Sequence, residues 1–157
     1  MFKNGEIEGV EVRKLVQYND GRGWLMELFR HDELKDEYYP VMTYISVTKP
    51  GVARGPHEHI DQADYFCFAG PSDFKLYLWD NRPESPTYMN KMTVVVGVSN
   101  PAAVIVPHNV VHAYKNVGEA DGLVINCPNR LFKGDGKREP VDEVRYENDS
   151  NSPYVLD

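Results

Sequence analysis

The chain has 157 residues, with 17 lysines and arginines against 24 aspartates and glutamates, for a net charge of −7. An acidic chain without a basic stripe excludes nucleic acid as the main partner, yet leaves room for a phosphorylated small molecule held by a few local arginines. The length suits one domain spanning residues 1–157, able to bury about 70% of its unfolded surface without a disulfide or metal.

Nowhere is there an apolar run long enough for a membrane-spanning helix. The opening MFKNGEIEGV lacks the apolar core of a signal peptide. Cys67 and Cys127 lie in apolar segments and read as reduced thiols rather than a disulfide framework. A cytoplasmic protein is the expectation.

In chain order, IEGVEVR at 7–13 reads as a strand with β-branched apolar positions. The turn signal NDGRG at 19–23 follows, then WLMELF at 24–29 as a second strand. HDELKDEYY at 31–39 is a charged connection with the option of a short helix. VMTYISVT at 41–48 alternates and reads as a strand, broken by Pro50 and Gly51. FKLYLWD at 74–80 sets Phe74, Leu76 and Leu78 on one face and Lys75, Tyr77 and Trp79 on the other. NRPESP at 81–86 is a loop. MTVVVGV at 92–98, AAVIVP ending at Pro107, VVHAYKN and LVINCP at 123–128 supply further strands. Many short strands between Gly, Pro, Asn and Asp turns predict an all-β sandwich or barrel. From residue 129 the chain is polar, and this tail is expected to pack over the barrel rather than belong to it.

The chemistry gathers in two stretches. In GVARGPHEHIDQADYFCFAG, from Gly51 to Gly70, His57 and His59 share a strand face, and Gln62 and Asp64 share a parity. In VPHNVVHAYKN, His112 answers them. Three imidazoles and a carboxylate suit a divalent transition metal such as Zn, Fe, Ni, Cu or Mn, with His57, His59, Asp64 and His112 as ligands. Gln62 is the weaker substitute for Asp64. His31 and His108 read as solvated loop residues.

The two stretches resemble the paired motifs of the cupins. The first matches through Gly51, His57, His59 and, one carbon shorter than the usual Glu, Asp64; Gly70 closes it one residue early. The second matches through Pro107, His112 and Asn116, with Asn109 in place of Gly. Asn tolerates a left-handed turn better than most residues. The resemblance implies a double-stranded β-helix, the cupin jelly roll.

A narrower likeness covers most of the chain. Asp20, Arg22, Gly23 and Glu27, then Arg54, Gly55 and His57, then Asp80, Arg82, Ser85, Pro86 and Thr87, then VPHNVVHAY and DEVRYENDSNSPY, resemble the dTDP-4-dehydrorhamnose 3,5-epimerase family. That resemblance implies a homodimer whose N-terminal strands, within residues 1–30, are exchanged, and a pocket for a nucleotide diphosphate sugar. It implies a dyad of His57 with Asp149 that removes a proton next to a sugar ketone. Arg54, Arg22, Glu27 and Gln62 become candidate substrate contacts.

Two family positions differ. The lysine that helps stabilise the enolate is Asp64 here, and the tyrosine that returns a proton falls near Leu131. His59 is additional. Loss of the lysine and tyrosine with gain of a histidine and an aspartate turns a proton-shuttling pocket toward a metal-ligand pocket and marks a divergent relative. The leading expectation is still a nucleotide-sugar epimerase or isomerase with His57 as base. A metal-dependent cupin of another class, dioxygenase or isomerase, and a non-catalytic sugar-nucleotide-binding cupin stand beside it.

Overall fold

A computed structural model describes all residues from Met1 to Asp157. Its regular structure is almost wholly strand, joined by turns, loops and short 3-10 turns. The N-terminal part holds β1 (Lys3–Asn4), β2 (Glu11–Lys14), β3 (Gln17–Asp20), β4 (Gly23–Met26) and β5 (Tyr44–Thr48). The middle holds β6 (Ala53–Glu58), β7 (Asp64–Phe68), β8 (Asp73–Asp80) and β9 (Asn90–Gly97). Then come β10 (Ala102–Val106), β11 (Val110–Asn116), β12 (Gly122–Asn126) and the short β13 (Val144–Arg145).

Two sheets face each other. One runs β1-β9-β8-β11-β6-β13, the other β2-β10-β7-β12-β5, and β3 and β4 form a separate hairpin. This is the all-β jelly roll expected of the sequence. No helix is long and apolar enough to cross a membrane.

The alternation of β8 explains how both faces of the first sheet are used. Phe74, Leu76 and Leu78 point between the sheets and pack with Phe66, Phe68, Val104 and Val124 of the second. Tyr77 and Trp79 point outward, yet are buried, because Tyr154 of the tail covers them. The second sheet is treated likewise: Tyr65, Cys67, Ala103 and Ile105 of its outer face lie beneath Leu15 and Leu34. The central strands β7, β8 and β10 are thus buried on both faces and read as near-continuous apolar runs, while Ile45 and Val47 on the edge strand β5 stay exposed.

Several boundaries differ from expectation. Ile7 is a core residue, but the strand begins only at Glu11, because Gly9 turns the backbone with φ of 81°. The strand predicted over 24–29 stops at Met26, where its hairpin partner ends in register at Gln17. Segment 31–39 forms two 3-10 turns, His31–Glu33 and Asp36–Tyr38, and no α-helix; its charges show no apolar stripe to bury. The tail also does more than cover the barrel. β13 pairs antiparallel with β6, setting Val144 opposite Glu58 and Arg145 opposite His57, so it becomes an edge strand of the first sheet.

Candidate active site

The site lies between the sheets at one end of β6. His57 on β6 stands directly opposite His112 on β11, with ring centroids 4.5 Å apart. Gly55 makes that pairing possible. Its φ is 81°, and a Cβ there would come within 2.6 Å of the His112 carbonyl oxygen. The ladder shifts register between His112 and Tyr114, and the shift re-aims the strand that carries the histidines.

His59 follows β6 on the same face, and its ring centroid is 5.5 Å from that of His57. The opposite sheet contributes Asp64 from the start of β7. It shares its parity with Phe66 and points inward, fully buried. Its Oδ2 lies 3.2 Å from His59 Nε2 and 3.3 Å from His112 Nε2. Its Oδ1 accepts hydrogen bonds from Gln62 Nε2 at 2.8 Å and Asn126 Nδ2 at 2.7 Å.

Burial alone would raise the Asp64 carboxyl, but His112 and His59 beside it hold it below the usual carboxylate range. Burial pushes His59 down, and Asp64 outweighs it, lifting this imidazole to about 9. Burial pushes His57 to about 2, helped by His112 and His59. The site therefore sets a neutral His57 beside a charged His59 at neutral pH.

The donor set fits a divalent transition ion. His59 Nδ1 meets the Asp142 carbonyl and His112 Nδ1 the Val110 carbonyl, the usual outer arrangement of metal-binding imidazoles, with Nε2 left for the ion. The atoms of His57, His59 and His112 lie within 4.8 Å of one another. Asp64 Oδ2 and His112 Nε2 are buried without a hydrogen-bond partner. Ligands on bonds of about 2.0–2.1 Å in a tetrahedron sit roughly 3.3 Å apart, which matches the spacings around Asp64.

The tail supplies what the sequence reading missed. The Asp142 carboxylate accepts the backbone N–H groups of Ile60, Asp61 and Gln62 at 2.8, 3.0 and 2.8 Å, shaping the turn between His59 and Asp64. Glu143 Oε1 lies 3.7 Å from His57 Nδ1. Glu143 also accepts a hydrogen bond from Arg145 Nε at 2.6 Å. Asp149, expected as the partner of His57, is instead exposed and accepts the Asn151 N–H at 2.9 Å. It sits in a turn beyond β13, and Glu143 is the carboxylate that faces His57. Pairing of the two-residue β13, Val144 with Glu58 and Arg145 with His57, across so long a stretch of chain leaves no periodic signal in the sequence.

The other candidates are spread out. Gln62 is in the site. Arg54 shares a ladder position with Tyr114, and donates to Thr48 Oγ1 at 2.9 Å and to the Val47 carbonyl at 2.7 Å. Arg22 is at the exposed hairpin tip, paired with Asp20 at 2.6 Å. Glu27 is exposed beside Arg30, 3.7 Å away. Neither approaches the histidines within this chain.

A cavity of about 1070 Å³ opens over His59 and Gln62, walled by Tyr44 and by residues 128–143, with Arg130, Lys133, Lys137 and Arg145 among its lining. Its size admits a nucleotide sugar. Leu131, which stands near the family's tyrosine position, also lines it.

Comparison with known proteins matches residues 4–138 to the family model described as dTDP-4-dehydrorhamnose 3,5-epimerase. A curated relative, the probable low-salt glycan biosynthesis epimerase Agl13 of Haloferax volcanii, is 38% identical over 151 residues, 93% of this chain and 96% of that protein. Among solved structures, a dTDP sugar isomerase from Desulfovibrio desulfuricans superposes with a TM-score of 0.79 at 21% identity, covering 92% of this chain and 87% of its own. ChmJ, a 3'-monoepimerase from Streptomyces bikiniensis in complex with dTDP-quinovose, gives 0.74 at 22%, covering 92% and 72%. At these identities the two structures speak for the fold.

Proposed function

This chain belongs to the dTDP-4-dehydrorhamnose 3,5-epimerase family, and from that premise we propose that it inverts a carbon next to the ketone of a dTDP-linked sugar, with His57 as the base. The observation that carries this reading is geometric: His57 Nδ1 faces the Glu143 carboxylate at 3.7 Å, and His59, raised by its contact with Asp64 at 3.2 Å, stands beside it. Abstraction of a proton next to a carbonyl needs an unprotonated base and a positive or hydrogen-bonding group for the oxyanion that develops. His57 takes the proton, and Glu143 offsets the imidazolium that forms. His59, held charged by Asp64, takes over the enolate-stabilising task that the resemblance gives to a lysine at the Asp64 position.

Gln62 Nε2 offers a hydrogen-bond donor at the cavity floor, and Arg54 the cationic approach to the sugar phosphates. The hairpin of β3 and β4 pairs with nothing else in the chain and exposes Tyr18, Trp24 and Leu25. In the proposed homodimer it is the exchanged arm, and it carries Arg22 and Glu27 to the nucleotide in the partner's cavity. The test is His57→Ala incubated with a dTDP-4-keto-6-deoxyhexose in deuterated water. Loss of ring-proton exchange, with the fold intact, is expected; unchanged exchange rejects His57 as base.

One observation favours a second reading, a metal-dependent cupin: Asp64 Oδ2 and His112 Nε2 are buried 3.3 Å apart without a hydrogen bond. His59, His112, Asp64 and His57 would hold a divalent transition ion, and such an ion would polarise a ketone oxygen as a Lewis acid. Elemental analysis of untagged protein separates the two. About one equivalent of metal, lost in His112→Ala, favours the second; metal-free protein that still epimerises favours the first.

A further inference from the structure

We propose that Tyr44 is the acid that returns a proton to the sugar, on the face opposite His57. The inference rests on the epimerase reading above and adds to it a residue the sequence did not single out. Inversion at carbon requires two groups. A base removes the proton from one face, and a donor delivers another to the opposite face. The first group lies on β6 of one sheet, so the second is to be sought on the facing sheet at the same end.

Tyr44 meets that requirement. It opens β5, the edge strand of the second sheet, with its side chain on the same face as Ser46 and Thr48. Those two reach Tyr114 Oη and Arg54 across the gap between the sheets, which fixes this face as the inward one. Tyr44 lines the large cavity together with His59 and Gln62, and it is the sole hydroxyl-bearing residue among the cavity's lining.

The direction of its hydroxyl is set by Asn126, its ladder partner. The Tyr65 backbone N–H donates to Asn126 Oδ1 at 3.1 Å, so the amide is pinned with its NH2 turned the other way. That NH2 donates to Asp64 Oδ1 at 2.7 Å and to Tyr44 Oη at 2.9 Å. Tyr44 Oη is therefore an acceptor on its protein side. Its own hydrogen has no protein acceptor, and the open direction for it is the cavity. A donor whose lone pair is occupied and whose proton is free is what delivery to carbon needs. Burial raises the Tyr44 hydroxyl to about 12, which keeps it protonated at neutral pH, and the Asn126 bond works against that rise by favouring the phenolate.

The step balances. His57 takes the proton next to the ketone, and the C–H electron pair moves to give the enolate. The enolate carbon then forms a new bond to the Tyr44 hydroxyl hydrogen on the other face, while the O–H pair stays on the phenolate oxygen. Water reprotonates the phenolate and takes the proton from His57.

Tyr44→Phe removes the hydroxyl alone and leaves the Asn126 bond to Asp64 in place. The probe is a dTDP-4-keto-6-deoxyhexose in deuterated water, followed by NMR for both deuterium uptake and configuration. Wild type is expected to give inverted, deuterated sugar. The variant is expected to keep uptake within a few-fold, with retained configuration, while inversion falls about 100-fold or more. Exchange without inversion is a signature that a merely structural tyrosine would not give. Inversion by Tyr44→Phe within about threefold of wild type overturns the assignment and leaves the epimerase reading standing. Wild type that neither exchanges nor inverts overturns both.

Discussion

His59 Nε2 lies 3.2 Å from Asp64 Oδ2 inside the barrel, an ion pair between consecutive elements of the same motif. Its consequence is a dependence of stability on alkaline pH. The folded His59 is raised to about 9 from 6.5. A raised pKa means that the folded state binds the proton more tightly, so the stabilisation is complete below about 6.5 and lost as pH rises through 9. The shift corresponds to a contribution on the order of 3 kcal/mol. In chelator-treated protein, urea midpoints should fall between those pH values, and His59→Gln should flatten that limb. An equal slope in the variant would remove His59 as its source.

Gly55→Ala tests how the strand positions the base. The added Cβ would meet the His112 carbonyl oxygen at 2.6 Å, and the φ of 81° would itself be strained. A loss of about 2 kcal/mol or more in stability is expected, because two backbones must separate. Exchange of the sugar proton should fall as well, since the displaced carbonyl belongs to the strand facing His57. A variant with wild-type melting and wild-type exchange would show that this close approach is dispensable.

Much of this arrangement was legible in the chain. Two-residue spacing puts His57 and His59 on one face, because strand periodicity is local. The direction of Asp64 does not follow from the chain alone and is set by the fold, where it shares its inward parity with Phe66. The alternation of β8 likewise gave both of its faces. Tyr44, Asn126, Asp142 and Glu143 were not legible, since their roles come from the ladder between β5 and β12 and from an edge strand contributed by the tail. Asp149 was the natural acidic choice from motif resemblance, yet it lies six residues past Glu143, beyond the strand that enters the site. The motif told which segment returns to the histidines but not which of its carboxylates arrives.

Asp80 governs the acid side. It is fully buried at the end of β8, and its carboxylate accepts from Arg82 Nε at 2.8 Å, Ser85 Oγ at 2.6 Å and Thr87 Oγ1 at 2.6 Å. Arg82 and Thr87 also grip Glu8, at 2.7 Å to its carbonyl and 2.9 Å from its N–H, so the network anchors the N-terminal segment. Burial would raise this carboxyl, but the hydrogen bonds from Arg82, Ser85 and Thr87 prevail and lower it from 3.8 to about 2. A lowered pKa gives stability that is complete above 3.8 and lost as pH falls through 2. Asp80→Asn should cost on the order of 2 kcal/mol at neutral pH and weaken the acid limb of the stability profile. Acid denaturation identical to wild type would assign that limb to other carboxylates.

The tail links stability to the site. Tyr154 packs edge-on against Trp79 with centroids 5.6 Å apart and against Tyr146 at 4.7 Å, and the Tyr146 hydroxyl donates to Glu58 on the strand of His57. Tyr154→Ala removes the cover from the outer face of β8 and should cost about 3 kcal/mol. The two tryptophans make this visible, because Trp24 is 56% exposed and Trp79 only 1%. In a Trp24→Phe background the remaining emission comes from Trp79, and Tyr154→Ala should shift it to longer wavelength. The same loosening frees residues 142–145, which shape the turn after His59 and face Glu143 toward His57. Epimerisation should therefore fall more than substrate affinity does, since Glu143 matters once His57 has taken the proton. A red-shifted Trp79 with unchanged turnover would mean that β13 keeps its place on β6 without the aromatic cover.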